Sequence, residues 1–434
     1  MPTNNTLEPM PRFLDPELCA SVAEQFGTPT FIYDEASLMR RADEALAFPN
    51  PHGLTVRYAM KANPHRQILG LFDSMGLAID ASSGFEARRA LTAGITGAKI
   101  LLTSQEFPDP SNDRYRKDDA DLGMLIGEGV LFNASSLHQL REYGRSFPDS
   151  EVSVRINPSE GSGHSMGVSV GGPTSSFGTW HEYASDLNDI ATEYGLKIIR
   201  LHTHIGSGSD PDTWSQVAEE SLEMVRHFPD VQTLNLGGGY KVSRVNDDPP
   251  PTDLEVIGRP VQKALEDFKR ETGRALSLEI EPGTFLVANA SALISRVVDI
   301  VDTGKDGHTF YKVDSGMGEN MRPAMYGAQH PVFIIPKDGS KNTERAVVVG
   351  HNCESSDLVT VARDTPGDIA PRELNTAFIG SLAVVGGVGA YGVSMAAKGY
   401  NSFPEAPEVM IDRSGNLRMI SRPGRLIDLL RREV

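Results

Sequence analysis

Cysteine is almost missing: the 434 residues contain two, Cys19 and Cys353. Two thiols so far apart build no disulfide framework and lack the spacing of a metal site, so no metal is expected and at least one thiol is free for chemistry. Basic residues are also in short supply, 41 against 58 acidic ones, for a formal charge of −17. Such a chain repels phosphate backbones and anionic membranes and has no basic run to offset this, which argues against nucleic acid as a partner. The start, MPTNNTLEPMPRF, has neither the basic nor the apolar segment of a secretion signal. Met1 to about Asp15 therefore reads as a flexible arm, and the expected location is cytoplasmic. One stretch, Ala377 to Ala397, is uncharged and about as long as a membrane span, but five of its residues are glycine. It reads as a buried strand followed by a tight turn at Gly386-Gly387, not as a membrane segment.

What is present describes a globular protein, with 39% apolar and 23% charged residues and with 28 prolines and 42 glycines spread along the chain. The length calls for two domains. Short β-rich runs alternate with helical periodicity, as in βα units around a parallel sheet. Eight such runs end near Lys61, Ser82, Thr103, Ser135, Pro158, Ser207, Gly239 and Gly283. Eight units predict a (β/α)8 barrel over residues 36–287, with its active site at the C-terminal strand ends. After Leu286, closely spaced runs such as ALISRVVDIV, HTFYKVD, AVVVG and EVMID predict an antiparallel β-barrel or sandwich domain over 288–434. Residues 1–35, with FIYD at Phe31 to Asp34, form an arm and a strand joining that β domain.

Lys61 in YAMKANP closes the first barrel strand and, taken alone, reads as an ordinary surface lysine. LGGGY, with Gly237, Gly238 and Gly239, lies at the seventh strand end, where barrels often bind phosphate; consecutive glycines let backbone N–H groups approach it closely. Glu281 of EPG closes the eighth strand. An imine-forming amine, a phosphate cradle and an acid suited to a pyridine nitrogen are together what pyridoxal 5'-phosphate (PLP) requires.

The runs YAMKANP, HTHIGSGSD, LNLGGGY, LEIEPG, MRPAMYG, CESSD and GAYGVSM followed by YN occur in this order. In order and spacing the chain resembles the alanine-racemase-like (fold type III) PLP enzymes, and within them the diaminopimelate decarboxylase family. The resemblance implies that Lys61 carries the cofactor as a Schiff base and that His204 packs on its ring. It implies that Ser207, Gly237 to Gly239 and Tyr391 hold its phosphate, that Glu281 holds its ring nitrogen, and that Asp80 stands near Lys61. It further implies a homodimer in which CESSD reaches the neighbouring subunit's site. There Cys353 protonates the carbanion left by CO2 loss and Glu354 holds the distal amine, while Arg322 and Tyr326 face the substrate. The Gly- and Ser-rich segment Asn157 to Gly178, containing His164, suits a loop over the barrel mouth.

One residue departs from the family pattern. Where the family reads EPGR, with an arginine associated with the substrate's distal carboxylate, this chain reads EPGT, with Thr284. A hydroxyl cannot make the bidentate pair that guanidinium makes with carboxylate. The sequence therefore points to a diamino acid with one carboxylate, D-lysine or D-ornithine, and in this the chain resembles the family's D-ornithine/D-lysine decarboxylase branch. Meso-diaminopimelate is the alternative substrate, and an amino-acid racemase or a non-catalytic PLP carrier are further rivals.

Overall fold

The computed structural model describes residues 7–158, 172–204 and 208–434. They divide into two units, Met39–Val242 with Pro250–Leu286, and Met1–Leu38 with Ser243–Pro249 and Val287–Val434.

The first unit is a closed barrel. Its strands are β1 (Leu54–Ala59), β2 (Ala78–Ala81), β3 (Ile100–Leu102), β4 (Leu131–Ala134), β5 (Glu151–Asn157), β6 (Lys197–Thr203), β7 (Thr233–Asn235) and β8 (Ser277–Ile280). Each pairs in parallel with the next, and β8 returns to β1. These are the eight runs expected from sequence. Parallel strands are covered on both faces, which is why AIDA of β2 and ILL of β3 are buried throughout.

Small polar residues just past the strands start the helices. Ser83 Oγ accepts from the Glu86 N–H at 3.1 Å and Ser136 Oγ from the Gln139 N–H at 3.1 Å. Each such cap satisfies an orphan donor and contributes about 1 kcal/mol. Inside the barrel, Glu279 of β8 accepts from Arg57 Nε at 3.0 Å and Nη2 at 2.8 Å, with Arg200 Nε 3.0 Å away. Burial works to raise the Glu279 carboxyl, but the two guanidiniums outweigh it and hold it low. Strand alternation puts Glu281 on the same inward side, one step nearer the mouth.

The second unit is a curled, mostly antiparallel sheet. The long strand Ser291–Asp302 pairs antiparallel with Thr30–Asp34, Thr309–Val313 and Leu382–Gly386. Thr30–Asp34 and Glu408–Ile411 run parallel. The uncharged stretch after Ala377 contains the fully buried strand Leu382–Gly386 and turns at Gly387, where φ is +69°. Cys19 lies in this unit's core with Val22, Ile32, Ile294 and Val384. Burial, and then Asp15, push its thiol up to about 12, so it is an inert apolar filler. Among the described residues, no helix is long and apolar enough to cross a membrane.

Candidate active site

The strand ends of the barrel gather titratable groups. Lys61 sits in the single turn Met60–Ala62 directly after β1. Tyr58 fixes the following backbone by donating from its hydroxyl to the Asn63 carbonyl at 2.9 Å. The Lys61 charge acts on Asp80, Glu86, His202, His204 and Glu281.

Asp80 is the penultimate residue of β2 and is buried. Burial raises its carboxyl, and Lys61, Arg155, Arg57 and the Thr103 hydroxyl only partly offset this. Its Oδ1 has no hydrogen-bond partner among the described residues, nor has Nη2 of the buried Arg155 on β5.

Glu281 is held from three directions. Asn235 Nδ2 donates to its Oε1 at 2.6 Å, its backbone N–H donates to the Gly237 carbonyl at 2.7 Å, and His202 Nε2 lies 3.4 Å from its Oε2. Asn133 Nδ2 lies 2.8 Å from His202 Nδ1. With the Asn133 amide in this orientation its nitrogen donates and Nδ1 accepts, the arrangement that leaves the His202 proton on Nε2 toward Glu281. Burial, and then the Asp80 charge, push the Glu281 carboxyl up to about 8.

The glycine run is shaped by two close approaches. A β-carbon on Gly237, where φ is +70°, would stand 2.1 Å from His204 Nδ1; on Gly238 it would stand 2.2 Å from the Glu281 carbonyl oxygen. Only glycine fits either position. His204 Nδ1 accepts from the Gly238 N–H at 3.0 Å, which fixes the ring against the run. Burial, and then the Arg155 and Lys61 charges, hold His204 neutral. Ser207 and His164 lie outside the described residues. So does most of the Asn157 to Gly178 segment, whose ends are joined where Asn157 Oδ1 accepts from the Gly172 N–H at 2.8 Å. Thr284 opens the short helix Thr284–Val287 beyond β8.

The β unit holds the other expected residues. CESSD is pinned by its last residue: buried Asp357 accepts from the Met317 N–H at 2.8 Å and the Asn352 N–H at 2.9 Å. The YN pair holds its start, since the Cys353 N–H donates to Asn401 Oδ1 at 2.7 Å and the Tyr400 hydroxyl lies 3.4 Å from Glu354 Oε2. Cys353 and Glu354 are left exposed. The Ser356 N–H holds the Glu354 carboxyl below its usual range. Arg322 begins the short helix Arg322–Tyr326, and its guanidinium carbon lies 5.8 Å from the Tyr391 ring centroid. Tyr391 has φ +58°, an uncommon backbone for a tyrosine and one that tends to mark functional positions. Tyr326 is exposed.

The sequence did not single out Arg155, Asn133, His202, Asn235 or Arg244. His202 was recoverable, since it stands two residues before His204 and strand alternation aims both the same way. The barrel-mouth residues fit PLP. They offer an amine, a glycine run on which no side chain obstructs a phosphate, although the Gly237 and Gly238 N–H groups are already bonded to Asn235 and His204, and buried polar atoms on Asp80 and Arg155 left unspent. At Glu281 burial and Asp80 outweigh the Asn235 amide, Arg155 and Lys61, so a further cation beside it, such as a protonated ring nitrogen, would favour its ionised form.

Residues 36–288 match the family model for the pyridoxal binding domain of pyridoxal-dependent decarboxylases. Diaminopimelate decarboxylase of Streptomyces coelicolor is 34% identical over 98% of this chain and 93% of its own length. A crystal structure of diaminopimelate decarboxylase superposes with TM-score 0.86 at 31% identity, covering 96% of both chains. Lysine/ornithine decarboxylase of Vibrio vulnificus, solved with putrescine, gives TM-score 0.74 over 92% of this chain and 98% of its own, but at 21% identity that likeness speaks for the fold alone. With the PLP-binding barrel matched and full-length relatives covering the β unit as well, the chain belongs to the pyridoxal-dependent decarboxylase family and is a PLP-dependent carboxy-lyase.

Proposed function

We propose that the substrate is meso-2,6-diaminopimelate and the products L-lysine and CO2. The observation that carries this reading is the span of the likeness: relatives named for this reaction match the chain at about one residue in three through both units. When bound, PLP supplies the electron sink that takes the pair left on the α-carbon as CO2 departs. Lys61 holds the cofactor and later releases the product amine. Glu281, oriented by Asn235 and His202, faces the ring nitrogen; His204 covers the ring; Asp80 stands beside Lys61. Gly237 to Gly239, Ser207 and Tyr391 hold the phosphate.

The remaining roles fall to exposed groups. Cys353 returns a proton to the carbon that lost CO2, Glu354 holds the distal amine, and Arg322 with Tyr326 faces a substrate carboxylate. Because Cys353 and Glu354 stand on a surface, we place them in the site of a second copy, so that the working unit is a homodimer with shared sites.

A second reading, D-lysine or D-ornithine decarboxylation to cadaverine or putrescine, is favoured by one residue, Thr284, where the family has arginine. CO2 release from meso-diaminopimelate, D- and L-lysine, and D- and L-ornithine separates the two. Lysine formation from meso-diaminopimelate with the others slow supports the first reading. Rapid turnover of D-lysine or D-ornithine with meso-diaminopimelate inert replaces it with the second.

A further inference from the structure

Thr284 removes one guanidinium from the expected site, and the β unit contains another that no motif marked. The segment Ser243–Pro249 leaves the chain between barrel residues Val242 and Pro250 and groups with the β unit. Its conformation is fixed by Asp248, whose Oδ2 accepts from the Arg244 N–H at 2.7 Å and the Val245 N–H at 3.1 Å, while its Oδ1 pairs with Arg363 at 2.8 Å. Asn289 Nδ2 holds the preceding backbone by donating to the Ser243 carbonyl at 2.8 Å.

The Arg244 side chain runs over Gly387 and donates from Nε to the Gly387 carbonyl at 3.0 Å. A β-carbon on Gly387 would stand 3.0 Å from both Cγ and Cδ of Arg244, so glycine there makes room for the arginine. Arg244 Nη2 is buried with no partner among the described residues, and so is Arg322 Nε. The two guanidiniums lie close enough for the Arg322 charge to act on Arg244, and both interact with Tyr391.

Neighbouring groups answer this charge only in part, since Asp248 and Tyr391 favour the Arg244 cation without outweighing its burial. Asp248 is spent on Arg363 and two backbone N–H groups. Arg372 is satisfied by the His330 carbonyl at 2.6 Å and Gln329 Oε1 at 2.7 Å. His330 is held neutral by burial and by the Arg244 and Arg322 charges. Two half-buried cations whose charges act on each other, each with a buried N–H donor unspent, are costly unless an anion joins them, and a planar carboxylate matches guanidinium geometry.

We propose that Arg244 and Arg322 together bind the distal carboxylate of the substrate, Arg244 doing the work that the family's EPGR arginine would do and Thr284 cannot. The inference rests on the reading of the substrate as a dicarboxylic diamino acid. It also reverses the expectation drawn from Thr284, because loss of one arginine is answered by another from a different segment.

The test uses PLP-loaded protein carrying Arg244→Met or Arg244→Lys. Losing a charge-assisted pair lowers kcat/KM for meso-diaminopimelate roughly 10- to 100-fold, mainly through KM, while kcat/KM for D-lysine stays within about threefold. Pimelate, a dicarboxylate without amines, serves as competitive inhibitor against whichever diamino acid the unmodified protein decarboxylates. Its inhibition constant rises roughly tenfold or more in Arg244→Met. If Arg244→Met does not fold, Arg244→Lys reads the same quantities, since lysine keeps the charge but loses the fork. Unchanged pimelate inhibition in a folded variant overturns the inference. Weakened PLP retention with unchanged pimelate inhibition also overturns it and assigns the arginine to the cofactor phosphate. An unmodified protein that ignores meso-diaminopimelate, while Arg244→Met still relieves pimelate inhibition, overturns the proposed substrate and leaves the anion site standing.

Discussion

Asn235 joins Glu281 to the glycine run: its Nδ2 donates to Glu281 Oε1 at 2.6 Å, and its Oδ1 accepts from the Gly237 N–H at 2.8 Å. One buried amide thus sets both the acid proposed to face the ring nitrogen and the start of the glycine run proposed to hold the phosphate. Asn235→Leu keeps the volume and removes both bonds, leaving two buried polar groups unmatched at about 1–3 kcal/mol each. The expected outcome is a lower Tm together with faster loss of PLP on dialysis. A variant that loses stability but retains PLP as tightly as the unmodified protein would show that Asn235 supports the barrel alone.

Gly237 tolerates no side chain. In Gly237→Ala the new methyl would collide with His204 Nδ1 at 2.1 Å on a backbone with φ +70°, so the ring must swing away from the position proposed over the cofactor. We expect PLP binding, followed by its absorbance, to weaken at least tenfold, the equivalent of about 1.4 kcal/mol. Adding His204→Ala relieves the collision but not the backbone strain, so stability recovers in part and turnover does not. A Gly237→Ala protein with normal cofactor affinity would remove His204 from the ring face.

Glu281 makes the stability of the cofactor-free protein fall as pH rises from mildly acidic to neutral. Its carboxyl is pushed from an ordinary 4.5 up to about 8, first by burial and then by Asp80. A carboxyl whose native pKa stands above its unfolded value stabilises the fold most below the unfolded value and loses that contribution as pH rises through the native one. The Tm of cofactor-free protein should therefore fall between about pH 4.5 and pH 8, and Glu281→Gln, which never ionises, should flatten the decline. PLP should flatten it too, since a protonated ring nitrogen favours the carboxylate. Identical pH profiles for Glu281→Gln and unmodified protein would show that the carboxyl stays ionised throughout.

Most of the barrel was legible because parallel strands are buried on both faces and announce themselves as unbroken apolar runs ended by small polar residues, as in LAIDAS and VLFNAS. The placement of Lys61, Asp80, His204 and Glu281 at or just beyond the strand ends was legible for the same reason, and strand ends are where a barrel collects its site. Arg155 and Asn235 were not, because each lies inside a run and looks like an interruption until its partners from other strands are seen. Arg244 was hidden differently. Its role depends on Gly387, 143 residues further along the chain, and neither periodicity nor local spacing reports such a contact.

Cys353 provides the sharpest test of the shared site. Asp357 and Asn401 hold the backbone around it, yet its side chain is exposed. If each site combines Lys61 of one chain with Cys353 of the other, Lys61→Ala and Cys353→Ala homodimers are both inactive for lack of one group. Mixed and allowed to exchange in equal amounts, they form hybrids as about half of all dimers, and each hybrid has one site with both groups intact, so roughly a quarter of the unmodified activity returns. Exchange is followed independently by labelling the two variants with different fluorophores. Demonstrated exchange without recovered decarboxylation would mean that Lys61 and Cys353 serve the same chain, or that Cys353 does not serve the reaction at all. The Cys353→Ser homodimer separates these outcomes, because a hydroxyl of similar size is a far weaker acid than a thiol. Slow protonation in Cys353→Ser, seen as a kcat loss with KM little changed, retains the proton-donor role within one chain, and an unchanged kcat removes it.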